Sequence, residues 1–203
     1  MFDTSMVVGQ VGFGDSSVYP TSFDGPGGNR GLCPAVPTVG SRDRFLRKGD
    51  LIFVDIGFGY EGYHSDKTAV YIFASDPPDE AVRIHAKCME IEKQAAAMLI
   101  PGAVPSDIYN RIIAGLDDEF RSGFMGTGSR TVKFLGHGVG LHIDEHPVIA
   151  SGFNRPLEEN MTIAVEPKKG LPGFGMLGVE DTYVVTPDGG RCLTGGGSEI
   201  IRI

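Results

Sequence analysis

The sequence predicts an α+β fold built from two pseudo-symmetric halves, and three observations predict it. Two strand pairs share one pattern: LRKGDLIFVDIG followed by HSDKTAVYIF, and PLEENMTIAVEP followed by GVEDTYVVT. In each, a polar turn enters an apolar strand with a carboxylate near its end, and a glycine-containing turn leads to a strand with a second carboxylate near its start. Between the pairs lie two stretches whose apolar residues recur at helical spacing. Such an echo places a site between the halves. At 203 residues the chain suits one domain with a sizeable core, and residues 1–203 read as a single unit.

Residues 1–50 are rich in glycine and proline, as in GFGDSSVYPTSFDGPGGNRGLCPAVP, with no sustained helical period. They read as an irregular segment packed on the domain, with short strands near 6–11 and 36–39. An apolar strand follows at 51–57, then a turn at 57–62 and a strand at 64–73. Asp76-Pro77-Pro78-Asp79 opens a helix over 79–99, with Val82, Cys88, Ile91, Ala95, Met98 and Leu99 on one face and Pro101-Gly102 as its stop. Ser106 caps a second helix at 107–121, buried through Ile108, Ile112, Ile113, Leu116 and Phe120. Short strands at 132–135 and 140–143 flank a GHGVG turn. A last pair, 161–167 and 179–186, is joined by KKGLPGFGMLG.

Composition narrows the function classes. A net charge of -8 argues against nucleic acid, which demands a basic face. No apolar run approaches the length that spans a bilayer. The N-terminus lacks a charged region followed by an apolar stretch, so no signal peptide is read. Cys33, Cys88 and Cys192 are odd in number, far apart and without CxxC spacing, which suits a reducing compartment. The expected location is cytoplasmic.

The strand carboxylates carry the chemistry. Asp55 and Glu166 each interrupt an apolar strand, where an ionised group is costly to bury unless paired or metal-bound. Alternation puts Asp66 on one face with Thr68 and Val70, and Glu180 with Thr182 and Val184. A single strand carboxylate is usually a solvated edge position or half of a salt bridge. Four in two matched hairpins, with His137 in Gly136-His137-Gly138-Val139-Gly140, point instead to a centre for divalent metal. One imidazole among oxygens admits manganese, iron, cobalt or zinc.

The ordered set VDIG, SDKT, GHGVG, VEPKK and GVEDT resembles the pita-bread metallopeptidases (methionine aminopeptidase, prolidase and aminopeptidase P), prolidase-like members most of all. The resemblance runs from about Arg47 to the C-terminus. Its intervals are 11 from Asp55 to Asp66, 29 from His137 to Glu166 and 14 from Glu166 to Glu180. It implies the pita-bread fold, a curved antiparallel sheet backed by helices. It also implies two divalent ions on Asp55, Asp66, His137, Glu166 and Glu180, manganese first, with cobalt, zinc or iron as alternatives. Those ions would activate a water, and Glu166 would both ligate metal and shuttle the proton. The implied reaction is hydrolysis of the N-terminal bond of a short peptide, often before proline. The partners are then a short peptide or small-molecule substrate, with no nucleic acid or membrane, and a homodimer is admitted.

The chain also departs from that family. Seven positions after the metal histidine the family has a substrate-holding histidine, and here stands Asp144. His142 and His146 lie two residues to either side, on its face if the segment is extended, and either can stand in. Thr38, in Val36-Pro37-Thr38, takes the place of an upstream histidine in an LPH pattern. Ala69 and Gly178 stand where arginines are often found. A carboxylate opposes a developing oxyanion, and loss of one donor costs about 100- to 1,000-fold in rate. Two alternatives follow. One is a non-peptidase reaction using Asp144 on a cationic group or as a base, as the dimethylsulfoniopropionate lyases of this fold are non-peptidases. The other is a metal-binding module with little activity. The family's two helices before the first strands are not evident, so the chain reads as N-terminally truncated.

Overall fold

A computed structural model describes residues 9–19, 25–33, 36–40 and 43–203, with the backbone alone at 31–33 and 36–40. Strand β1 (Gly9–Phe13) is followed by the hairpin β2 (Gly31–Cys33) and β3 (Val36–Gly40). A longer hairpin joins β4 (Leu51–Tyr60) to β5 (Tyr63–Ile72). Helices α1 (Asp79–Ala97), α2 (Pro105–Ala114) and the single turn α3 (Asp118–Arg121) come next. The two-residue strands β6 (Gly126–Thr127) and β7 (Arg130–Thr131) pair with each other. Then follow β8 (Phe134–Gly138), β9 (Glu145–Ala150), β10 (Thr162–Val165), β11 (Lys168–Leu171) and β12 (Gly175–Gly178). Strands β13 (Asp181–Thr186), β14 (Gly189–Cys192) and β15 (Ile201–Arg202) complete the chain.

Strand pairs β2–β3, β6–β7 and β11–β12 form two-stranded sheets of their own, and the two larger sheets run in the orders β1-β4-β5-β15 and β14-β13-β10-β8-β9. Their pairings are antiparallel except at β15, which runs parallel to β5. The sheets meet where Thr68 bridges Glu180, its amide donating to the Glu180 carbonyl at 3.1 Å. Each sheet carries one of the two matched strand pairs, β4–β5 and β10–β13.

Helix α1 backs both halves. Its first turns put Ala81 and Ile84 against Leu51, Phe53, Val70 and Ile72, while Ile91, Ala95 and Ala96 pack with Leu135, Ile163 and Val185. Helix α2 adds Ile108 and Ile112 to this second core, against β9. Each leucine, isoleucine, valine or phenylalanine among them contributes about 1.5–3 kcal/mol on full burial. Val82, expected on the buried face, is 45% exposed. No helix among the described residues is long and apolar enough to cross a membrane.

Several boundaries differ from expectation. The turn at 57–62 shrinks to Glu61-Gly62, both left-handed at φ 50 and 86, because Gly57 and Gly59 stay in the ladder. The helix at 107–121 breaks at Gly115. Asp117 then caps α3, accepting from the Phe120 amide at 2.7 Å. Ser106 lies inside α2, after Pro105, and its hydroxyl donates to Asn154 Oδ1 at 2.7 Å. No strand forms at 140–143, which bends so that the His142 amide reaches the Glu145 carboxylate. The segment KKGLPGFGMLG is itself the hairpin β11–β12. Of the strand expected at 6–11, residues 6–8 lie outside the described residues.

Candidate metal centre

Register builds one side of the centre. Pairing Leu51 with Ile72, Phe53 with Val70, Asp55 with Thr68 and Gly57 with Asp66 puts all of these on one face of β4–β5. That face passes from apolar core to carboxylates along its length. On the second sheet Glu166 follows β10, Glu180 precedes β13, and His137 of β8 pairs with Ala164. Glycines flank His137 because neighbouring strands press on them. A Cβ on Gly136 would sit 2.1 Å from the Ala164 carbonyl oxygen, and one on Gly138 would sit 2.5 Å from that of His146.

All five predicted ligands are buried, none more than 7% exposed. Asp66, His137 and Glu180 each offer a ligand atom, and these atoms lie within 4.8 Å of one another. His137 Nδ1 donates to the Gly138 carbonyl at 3.0 Å, which leaves Nε2 facing the carboxylates. Nε2 lies 3.1 Å from Asp144 Oδ1, 3.5 Å from Glu166 Oε1 and 3.9 Å from Glu180 Oε1. Two carboxylates and one oriented imidazole within this spacing fit a divalent cation of the manganese-to-zinc series.

Burial is the dominant force on the local pKa values. It raises Asp66 to about 10, helped by the charges of Glu180 and Asp55. Asp55 rises to about 6, where burial outweighs the opposing Lys168. Burial pulls His137 down, but Glu166, Glu180 and Asp144 together hold it above the ordinary histidine value.

The residue sequence reasoning missed is Lys168. Its side chain is fully buried, and Nζ donates to Glu180 Oε2 at 2.7 Å, Glu166 Oε2 at 2.8 Å and Asp55 Oδ2 at 3.0 Å. Burial opposes its charge, yet Asp55, Glu166 and Glu180 hold the ammonium well above the usual lysine range. A signal existed, since Lys168 follows Glu166 by two residues and extended backbone repeats its facing every second residue.

A supporting layer fixes the ligands. Thr182 Oγ1 accepts from the Asp66 amide at 2.8 Å and donates to the Asp66 carbonyl at 3.0 Å, while Thr68 Oγ1 donates to Glu180 Oε2 at 2.9 Å. Asp181 accepts from Lys67, Thr194 and the Gly196 amide. His85, buried on α1, donates from Nε2 to the Ser198 carbonyl at 2.7 Å and accepts from the Gly178 amide at 3.3 Å.

The other candidates are placed less closely. Asp144 is 57% exposed in its side chain, at the edge of the cluster beside His137. His142 and His146 are exposed, and the His146 ring lies 5.7 Å from that of Phe153. Because 141–144 bends, the alternation that would put both histidines on the face of Asp144 does not apply there. Thr38 lies in β3, with its side chain outside the described residues. A Cβ on Gly178 would meet the Pro167 carbonyl oxygen at 2.3 Å, so no arginine fits there without a shift.

Comparison with known proteins identifies the family and the fold. The family description "Metallopeptidase family M24" matches residues 13–187. A Xaa-Pro dipeptidase of Pyrococcus furiosus is 32% identical over 160 residues, covering 79% of this chain and 44% of that protein. The crystal structure of dipeptidase PepE from Mycobacterium ulcerans superposes with a TM-score of 0.75 at 27% identity, over 97% of this chain and 47% of that one. An X-Pro aminopeptidase from Thermotoga maritima gives 0.74 at 25% identity, over 96% and 49%. The chain thus spans about half the length of these three relatives.

Proposed function

The chain belongs to metallopeptidase family M24 and has its pita-bread fold, and from that premise we propose that it hydrolyses the N-terminal peptide bond of short peptides, in the manner of an Xaa-Pro dipeptidase or aminopeptidase. The observation that carries this reading is the buried set of Asp66, His137 and Glu180, gathered within 4.8 Å where two sheets meet. In this reading these residues hold the cation. A bound divalent ion supplies the positive charge that polarises a carbonyl and acidifies water. Manganese suits the oxygen-rich donor set best, with cobalt, zinc and iron as alternatives.

Glu166 is the proton carrier in this proposal. Its Oε1 lies 3.5 Å from His137 Nε2, beside the cluster, while Oε2 is fixed by Lys168 at 2.8 Å. A carboxylate held at one oxygen has the other free to take a proton from water and pass it to the leaving amine. In this reading Asp144, exposed at the edge, receives the cationic amino group of a peptide, which its exposure supports. The unpaired cysteines Cys88 and Cys192 suit work in the cytoplasm.

Asp144 also favours a second reading, a non-peptidase reaction on a small cationic molecule. The test is hydrolysis of Xaa-Pro dipeptides and N-terminal-Met peptides by chain loaded in turn with manganese, cobalt, zinc and iron. Metal-dependent release of the N-terminal residue is expected, reduced at least ~100-fold in Glu166→Gln, as loss of general acid–base help implies. No release by folded, metal-loaded chain would overturn the peptidase reading and leave the second.

A further inference from the structure

We infer that Lys168 takes the place of one of the two metal ions implied by the family resemblance, so that the centre binds a single divalent cation through Asp66, His137 and Glu180. The inference rests on the metal-dependent reading above but concerns the number of ions, which is measured without any substrate.

The five predicted ligands fall into two sets of three that share Glu180. Asp66, His137 and Glu180 converge within 4.8 Å. Asp55, Glu166 and Glu180 instead converge on Lys168 Nζ, each at 3.0 Å or less. An ammonium has three N–H donors, and here all three meet ligand carboxylates. Glu166 and Glu180 each turn Oε2 to the lysine and Oε1 toward His137. Glu180, common to both sets, therefore spans two positive centres, as a shared carboxylate does in a two-metal site whose ions stand roughly 3.5–4 Å apart. In this chain one of those centres belongs to the protein.

The surroundings keep the lysine there. Lys168 pairs across β11–β12 with Gly178, where a Cβ would press on its Cγ at 3.0 Å, so the facing position has no side chain. On another side Nζ lies 5.6 Å from the centre of the Phe53 ring. The side chain is fully enclosed. A second ion enters only if the buried ammonium leaves its three carboxylate partners, and separating a buried charge from its counterions is strongly destabilising. One divalent ion with one ammonium also leaves the four carboxylates one positive charge short of neutrality. Such a centre favours a substrate that brings a positive charge, as the free amino end of a peptide does.

The test titrates manganese(II) into metal-free chain, reading stoichiometry by calorimetry and elemental analysis and the ion's surroundings by electron paramagnetic resonance. One ion per chain with an uncoupled manganese spectrum is expected, and two spin-coupled ions overturn the inference, as does no binding at all. Lys168→Gly, checked for folding by circular dichroism, is expected to bind two ions and show a coupled spectrum. A folded variant that still binds one ion overturns the lysine's role. Should that variant not fold, the unmodified chain decides alone. Peptide hydrolysis is then assayed separately, so a chain that binds one ion yet cleaves nothing counts against the peptidase reading only.

Discussion

Asp144 lies 3.1 Å from His137 Nε2 at the exposed edge of the cluster, where the resemblance puts a histidine. If its charge opposes a developing oxyanion, Asp144→His raises kcat/KM on Xaa-Pro dipeptides, by as much as the ~100-fold that one such donor is worth. A folded, metal-loaded variant with no gain shows that the carboxylate is not what limits peptide cleavage. A second residue-scale effect belongs to Glu92, buried on α1 outside the centre. Burial first, then the Asp181 charge, pushes its carboxyl up to about 9. A raised carboxyl pKa contributes stability that is present below the unfolded value near 4.5 and is lost as pH rises through about 9. The metal-free chain should therefore melt at lower temperature at pH 8 than at pH 5. Glu92→Gln should flatten that decline and raise Tm at pH 8 by a few degrees, at roughly 2–4 °C per kcal/mol for this size. Asp55 and Glu166 were legible as buried, partnered acids because an ionised acid inside an apolar strand must find a counter-charge, either a side chain or a metal ion. Lys168 and His85 were not, because lysine is ordinarily a solvated residue and a histidine in a helical apolar stripe reads as core.

Strand β8 sets how near His137 comes to its neighbours. With the Ala164 carbonyl oxygen 2.1 Å from where a Cβ would sit, Gly136→Ala has to push β8 off β10. Overpacking of this kind costs about 1–3 kcal/mol. A fall in Tm of several degrees together with weaker manganese binding is expected, and unchanged values of both would show that the strands are not this closely set. Helix and strand identities in 51–99 followed from periodicity, since the burial of β5 alternates and α1 keeps one apolar stripe. What periodicity missed were local interruptions. Gly115 ends α2 while the apolar spacing continues through Leu116 to Phe120, and the bend at 141–144 is held by the Gly140 amide on the His142 carbonyl and the His142 amide on the Glu145 carboxylate.

At the scale of the molecule, the two sheets share Glu180 and are joined through Thr68, so an ion at Asp66, His137 and Glu180 ties both halves together. Chelation should lower Tm. An ion at a hundred times its Kd contributes about 2.7 kcal/mol, or roughly 5–10 °C for a domain of this size. A melt unaffected by chelator would show that the ion does not link the sheets. The pseudo-symmetric plan was legible because each half repeats a strand pair, but the lysine between them had no counterpart in the pattern. That lysine also bears on the order in which the protein is made. Thr68 and Glu180 are 112 residues apart along the chain, a separation of roughly 6–22 s at ordinary rates of synthesis. Early in that interval the two acids of β4–β5 have been made while His137, Glu166 and Lys168 have not. Lys168 leaves the ribosome before Glu180 does, so a positive charge for the cluster is already in the polypeptide when the last ligand arrives.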